Sequence, residues 1–221
     1  MATAAETPSS ADADAASYAA SLLDAQTKAA ALFDEIEHSL IRPGISEKAL
    51  SDAIHSLGQT RHGVRTHWHK RVVRSGPNTL RPFEDNPPDR VIQADDILVV
   101  DLGPVFEAWE ADFGRTFVLG DDPNKIKLRD ALEPLWRRVK ARFRDRPDMT
   151  GEELYGIAVE EVRAEGGSLA RRLRDTSWEG SVNSMDCVGK DGRKRHWILE
   201  IHIRDPVNNL QGFFEQLLTV D

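Results

Sequence analysis

The stretch from residue 97 to residue 120, ILVVDLGPVFEAWEADFGRTFVLG, constrains the fold most strongly, because two apolar segments there each carry an aspartate. β-Branched and aromatic residues predict two antiparallel strands. With a turn at Phe106–Glu107, Asp101 faces Asp112 across the hairpin. Directly opposed Cβ atoms are about 5 Å apart, where like charges are destabilising. The pair therefore predicts a bound cation, unless one aspartate ends its strand and faces water.

Two glutamates repeat this pattern near the end of the sequence. In HWILEIHI, residues 196–203, alternation places Glu200 and His202 on the face opposite Leu199. In GFFEQLLTV, residues 212–220, Glu215 has apolar neighbours. A buried glutamate costs free energy unless it pairs with a base such as arginine, is protonated or binds a metal. Four strand carboxylates favour a pair of divalent cations.

The remaining periodicity predicts helices that alternate with strands. Helical patterns cover residues 18–40, 46–57, 121–144 and 150–167, and a short strand is centred on residues 72–73. The stretch after the last helix carries no clear pattern, and Cys187 falls in a loop-like part of it. No repeat or linker divides the chain, which predicts one α+β domain over residues 17–221, after a disordered tail at residues 1–16.

Charge and hydropathy exclude several classes of function. The formal net charge of -8 disfavours nucleic acid as a partner. No apolar run is long enough for a membrane span, and the first residues lack the basic and apolar regions of a signal peptide. A single cysteine fits a reducing compartment, so the expected location is cytoplasmic. A serine or thiol hydrolase is disfavoured, because no G-x-S-x-G motif is present.

The order of the acidic residues resembles that of the methionine aminopeptidase, Xaa-Pro aminopeptidase and creatinase superfamily. Two aspartates lie eleven residues apart in DLGP…ADFGRTFVLG, and a glutamate and the segment FEQLLTV follow them. The resemblance covers about residues 18–221. It implies the pita-bread fold, an antiparallel curved sheet covered by helices, and two divalent metal ions: Mn, Co, Fe or Zn. By this resemblance Asp101 chelates one ion, Asp112 and Glu215 bridge both, and Glu200 holds the other.

Two histidines in THWHKRVVRSGPNT are similar in position to a substrate-side histidine of that superfamily. The resemblance implies that His67 or His69 contacts the substrate or its scissile carbonyl. The alternative is that both are ordinary loop histidines. Both are therefore candidate catalytic residues, together with Glu200.

The resemblance fails at the fifth metal ligand, a histidine in a Gly-His-Gly-like segment. No such motif occurs in residues 165–197, where His196 is the only histidine, and residues 167–180 look shorter than the family requires. The fold is therefore expected to be truncated and the second metal site, near Glu200, weak. His202 is an alternative ligand, although it lies about 7 Å along the strand from Glu200.

The resemblance implies a metal-dependent aminopeptidase-type hydrolase. Its dinuclear metal-bound hydroxide attacks an N-terminal amide, and loss of the histidine ligand impairs the activity. A peptide N-terminus or a small amide is the expected substrate, and oligomers are compatible with the sequence. Two alternatives stay open: a catalytically inactive pita-bread binding module, and a creatinase-like small-molecule C–N hydrolase.

Overall fold

The computed structural model describes residues 10–146, 148–170, 182–187, 196–205 and 208–218. Within these residues there are four α-helices: α1 (Ser10–Ser39), α2 (Glu47–Arg61), α3 (Pro123–Asp145) and α4 (Gly151–Ala170). None of these helices contains an apolar run long enough to cross a bilayer.

The helix ends agree with the sequence signals in the middle of the chain and differ at two places. Ser46 caps α2 by accepting a hydrogen bond from the Ala49 amide, and Thr150 and Glu153 form the predicted capping box of α4. The first helix starts at Ser10 instead of residue 18, because the alanine-rich segment before it favours helix. The predicted end of α4 at residues 166–167 is wrong, since a helix tolerates glycine at a cost of about 1 kcal/mol.

Nine strands are described, and they form two antiparallel sheets. A six-stranded sheet has the order β2-β3-β6-β9-β8-β7, and a small three-stranded sheet has the order β1-β4-β5. The strands are β1 (Val64–His67), β2 (Val72–Ser75), β3 (Ile97–Leu102), β4 (Pro104–Phe106), β5 (Trp109–Glu110), β6 (Phe113–Val118), β7 (Val182–Cys187), β8 (His196–Asp205) and β9 (Leu210–Leu217).

Strand β7 lies in the stretch where the sequence showed no pattern, so the loop predicted around Cys187 is wrong at that residue. Its segment, VNSMDC, lacks a clear alternation of apolar and polar residues. A short 3₁₀ helix, Gly76–Leu80, follows β2. Two further predictions fall outside the described residues. They concern residues 1–9 of the predicted tail and residues 171–180 of the segment that was expected to be short.

Both helix pairs pack on one face of the large sheet. Helices α1 and α2 share a buried apolar cluster with Leu98, Val100 and Leu102 of β3. Helices α3 and α4 share a second cluster with β8, where the Trp136 indole donates a hydrogen bond of 2.8 Å to the Leu199 carbonyl oxygen. Because side chains alternate along a strand, Asp101 and its neighbours at the same level of the sheet point to the opposite face.

Candidate metal centre

The hairpin register differs from the prediction. Its turn consists of Glu107 and Ala108, one position later than predicted, and Glu107 adopts a left-handed conformation with φ of 53°. A one-residue shift of the turn moves every cross-strand partner by two residues. Asp101 therefore pairs with Gly114, and the predicted direct opposition of Asp101 and Asp112 is wrong.

Three of the four candidate acids nevertheless lie in one row across the sheet. Asp101 of β3 pairs with Gly114 of β6, Gly114 pairs with Glu215 of β9, and Glu215 pairs with Glu200 of β8. Residues paired across antiparallel strands project to the same face. The opposition of like charges that the sequence suggested for the two aspartates thus exists between the two glutamates.

Gly114 leaves a gap in this row, between Asp101 and Glu215. A Cβ atom at position 114 would lie 2.1 Å from Cζ of Phe213, so the phenylalanine ring occupies the space that a side chain would need. Asp112 lies just before β6 and is only 7% exposed. It reaches the row from the β5–β6 connection instead of from a paired strand position.

All four carboxylates line one cavity of about 820 Å³. Its other walls come from β2, the 3₁₀ helix and the segment after it, and β8 and β9. The lining side chains include Trp68, His69, Arg74, Leu80, Phe83, Asp101, Asp112, Glu200, His202, Arg204, Gln211, Phe213 and Glu215.

The structure separates the two candidate histidines. The Nε2 atom of His69 lies 3.2 Å from Oδ1 of Asp112 and 3.5 Å from Oδ1 of Asp101. The His67 ring lies instead 6.0 Å from the ring of His55 in α2, and neither of its ring nitrogens has a hydrogen-bond partner. Burial lowers the pKa of His67 to about 4, so this ring is neutral at pH 7.

Burial makes the carboxylates hard to ionise. Removal from water, with a further contribution from the charges of Asp112 and Glu200, raises the pKa of Asp101 to about 8 against the effect of His69. Burial likewise raises the pKa values of Asp112 and Glu215. A hydrogen bond joins these last two side chains, which requires a proton on one of the carboxyl groups. The cluster would therefore carry more negative charge than its surroundings compensate if every carboxyl group were ionised.

The donor set fits a divalent cation. Oδ1 of Asp101 is buried without a hydrogen-bond partner, although a carboxylate oxygen in that setting normally accepts one. A cation among the acids would satisfy this atom and favour the ionised form of each carboxylate. Carboxylate oxygens with an imidazole nitrogen suit first-row divalent ions.

Glu200 has a histidine of its own strand as a partner. Nε2 of His202 is hydrogen-bonded to Oε1 of Glu200, and the His202 ring stacks on Phe213 with a centroid distance of 5.2 Å. Nδ1 of His202 lies 3.3 Å from the side-chain nitrogen of Gln211. In this structure His202 lines the cavity and is hydrogen-bonded to one of its acids.

Sequence reasoning missed the residues that shape the cavity rim. The guanidinium of Arg74 donates hydrogen bonds to the carbonyl oxygens of Arg81, Phe83 and Asp85, and so fixes the segment that carries the Phe83 ring beside His69. The available signal was an arginine inside the apolar strand sequence VVRS, where a buried charge needs partners.

Comparisons with known proteins agree with this architecture. The sequence profile of metallopeptidase family M24 matches residues 20–189, a range that ends before Glu200 and Glu215. The Xaa-Pro dipeptidase of Lactobacillus delbrueckii subsp. lactis is 26% identical over 125 residues, which cover 56% of this chain and 33% of that protein. The Xaa-Pro dipeptidase of Lactobacillus helveticus is 23% identical over 137 residues, which cover 60% of this chain and 35% of that protein.

Solved structures give the same result for the fold. The Xaa-Pro dipeptidase from Bacillus anthracis aligns with a TM-score of 0.69 and 20% identity, over 90% of this chain and 57% of that chain. The prolidase from Pyrococcus horikoshii OT3 aligns with a TM-score of 0.65 and 17% identity, over 89% of this chain and 57% of that chain. The α+β pita-bread fold expected from the sequence is confirmed. The chain spans about a third of the length of the curated relatives and somewhat more than half of these solved structures.

Proposed function

The chain belongs to metallopeptidase family M24, and from this membership we propose that its carboxylate-lined cavity is the active site of a metal-dependent hydrolase. The proposed reaction is cleavage of the amide bond that follows the N-terminal residue of a short peptide. One observation carries the proposal: Asp101, Asp112, Glu200 and Glu215 reach the same cavity from different strands and a loop.

In this proposal the four carboxylates would hold two divalent ions, each Mn, Co, Fe or Zn. Asp101 would be a ligand in one half of the cavity and Glu200 in the other, with Asp112 and Glu215 available to both. Bound ions of this kind polarise a carbonyl group and lower the pKa of a water molecule. The raised pKa of Asp101, which a bound cation would lower, and its buried Oδ1 atom without a hydrogen-bond partner support the assignment.

Glu200 is the proposed proton carrier. Its carboxylate accepts the proton that the attacking water loses and returns it to the leaving amine nitrogen. His202 holds that carboxylate through the hydrogen bond between Nε2 and Oε1. Gln211 contacts the other ring nitrogen of His202, which fixes the orientation of the imidazole.

The cavity suits a short peptide. A volume of about 820 Å³ lies within the range of roughly 300–1,000 Å³ that is usual for sites of small ligands. Leu80, Phe83 and Phe213 provide apolar contacts for substrate side chains. Two curated relatives are Xaa-Pro dipeptidases, and we therefore propose dipeptides with proline in the second position as the first substrates to test.

The test is hydrolysis of Leu-Pro by the full chain with added Mn²⁺, Co²⁺ or Zn²⁺, measured as the release of free proline. We expect turnover that a chelator abolishes and that requires a free substrate amine, so that N-acetyl-Leu-Pro is the matched control substrate. Asp112→Asn should abolish turnover. Turnover that persists in the chelator, or in the Asp112 variant, would contradict the proposal.

A second candidate function is a pita-bread module that binds peptides without cleaving them. The interval of residues 165–195 contains no histidine, and this favours an incomplete second metal site. Binding of Leu-Pro measured by calorimetry, with no free proline released at any metal concentration, would identify the module. Turnover would exclude it.

A further inference from the structure

His69 projects into the space between two of the acids. One ligand atom each from His69, Asp101 and Asp112 lie within 4.8 Å of one another. His69 comes from the β1–β2 connection, whereas the acids belong to β3 and to the approach to β6. Three separate segments of the chain therefore meet at one point. A chance cluster of acids on the surface would not need such a convergence.

We propose that His69 is a direct ligand of the metal ion held by Asp101 and Asp112. The sequence suggested a contact with substrate for this residue, and the inference replaces that role. It rests on the proposed metal-dependent function, and it adds which side chain supplies an imidazole and to which ion. The ligand class is a first-row divalent cation that accepts mixed nitrogen and oxygen donors.

The hydrogen bond at the other ring nitrogen prepares His69 for this role. Nδ1 lies 2.7 Å from the carbonyl oxygen of Lys70. A carbonyl oxygen only accepts, so Nδ1 carries a proton. Nε2 is hydrogen-bonded to Oδ1 of Asp112, and a cation that displaces the proton of this hydrogen bond meets the lone pair of Nε2. Metal-binding histidines commonly donate their second nitrogen to a backbone carbonyl in this way, which fixes both the tautomer and the ring plane.

The ring is also held from its sides. A Cβ atom at Gly103 would lie 2.3 Å from Cδ2 of His69, so the glycine makes room for the imidazole. Trp68 packs edge-on against the ring with a centroid distance of 4.5 Å. The Trp68 indole in turn donates a hydrogen bond of 3.1 Å to the carbonyl oxygen of Ala111, beside Asp112. Histidine and aspartate are thus positioned by one set of contacts.

The distances between the donor atoms match a shared ion. Metal–nitrogen and metal–oxygen bonds of roughly 2.0–2.2 Å at a tetrahedral angle place two donors about 3.4 Å apart. The separations of His69 Nε2 from the Asp112 and Asp101 oxygens are 3.2 Å and 3.5 Å. Each aspartate oxygen thus lies at the separation from Nε2 that one shared ion requires.

Two other imidazoles of the described part of the chain, His202 on the cavity wall and His67 beside α2, are less suitable. Nε2 of His202 is hydrogen-bonded to Glu200 of its own strand, whereas Nε2 of His69 approaches two acids from other segments. The ring of His67 lies beside His55. Both provide matched controls, because each variant removes one imidazole near the site and leaves His69 in place.

The experiment is pulsed electron paramagnetic resonance of the full chain with one equivalent of Mn²⁺, which detects a ¹⁴N nucleus bonded to the ion. We expect an imidazole coupling in the unmodified chain and in His67→Gln and His202→Gln, and its loss in His69→Gln. Calorimetry should show Mn²⁺ affinity lowered more than about tenfold by His69→Gln, since even contacts that only orient a ligand are worth about 10–100-fold.

Gly103→Ala provides a second route that keeps the histidine and displaces its ring, and it too should remove the coupling. Circular dichroism of each metal-free variant verifies that it is folded. Coupling that persists in His69→Gln, or is absent from Mn²⁺-loaded unmodified chain, overturns the role of His69 and leaves the hydrolase proposal intact. Failure of the unmodified chain to bind Mn²⁺, Co²⁺ or Zn²⁺ overturns both.

Discussion

The candidate metal centre has two halves that differ in how the sequence builds them. The β3–β6 half consists of His69, Asp101 and Asp112, and the β8–β9 half consists of Glu200, His202 and Glu215. In the first half the imidazole nitrogen is hydrogen-bonded to Asp112 and also approaches Asp101, and the ring packs against Gly103 of another segment. In the second half the imidazole is hydrogen-bonded to the acid next to it on the same strand.

This difference indicates which half binds its ion more tightly and which half also transfers a proton. A nitrogen that approaches two carboxylates completes a ligand set, whereas a nitrogen bonded to one carboxylate orients that group and shares its proton. The sequence resemblance placed the missing imidazole in the second half. The geometry places an imidazole in the first half, and there the tighter ion is expected.

The largest expected effect comes from removing the charge of the acid at the centre of the first half. Asp112→Asn should weaken Mn²⁺ binding by more than about 100-fold, since the loss of a direct ligand exceeds the 10–100-fold effect of residues that only orient ligands. Glu200→Gln should weaken only the second, weaker binding event. Calorimetric titration of both variants measures this asymmetry, and equal losses would show that the two halves act as one.

The junction of the halves should be the most sensitive place for packing. Gly114→Ala puts a methyl group where the Phe213 ring lies, which should lower the free energy of unfolding by about 1–3 kcal/mol. Gly156→Ala is the control, because a Cβ there meets nothing within 4 Å and alanine favours helix. Urea unfolding of both variants tests this, and equal stability of the two would mean that β6 and β9 are not closely packed at this level.

The last effect concerns pH and is confined to the metal-free chain. The pKa of Asp101 is raised to about 8, so the folded state keeps a proton that the unfolded state releases near pH 4. Stability from this group is full below about pH 4 and is lost as pH rises towards 8, by more than about 1 kcal/mol.

Urea unfolding with a chelator at about pH 5 and about pH 8 measures this loss, and Asp101→Asn should reduce it. Saturating Mn²⁺ should reverse the trend, because the ion favours the ionised carboxylate. A metal-free chain that is equally stable at both pH values would show that Asp101 is ionised without help from a cation.

Local signals predicted the helices and most strands correctly, because each depends on a few neighbouring residues. Periodicity identified the four helices, and alternation placed Glu200 on the face opposite Leu199. The hairpin register was wrong because it depends on which residue of the turn takes a positive φ, and Glu107 carries no glycine-like signal for it.

Local sequence signals could not predict that His69 lies beside the acids. Its position depends on the room left by Gly103 and on the Trp68 ring, which meet only after β1, β4 and the segment before β6 have packed. The sequence offered two histidines two residues apart and no physical reason to prefer either. Only the fold distinguishes them.

The row of paired residues across the sheet makes ion binding a measure of correct strand alignment. A slip of one residue between β8 and β9 would put Phe214 in the place of Glu215 and turn the carboxylate towards α3. A misaligned sheet of this kind loses a ligand and receives no stabilisation from the ion. Metal supplied during folding should therefore favour the native alignment of the strands over the misaligned ones.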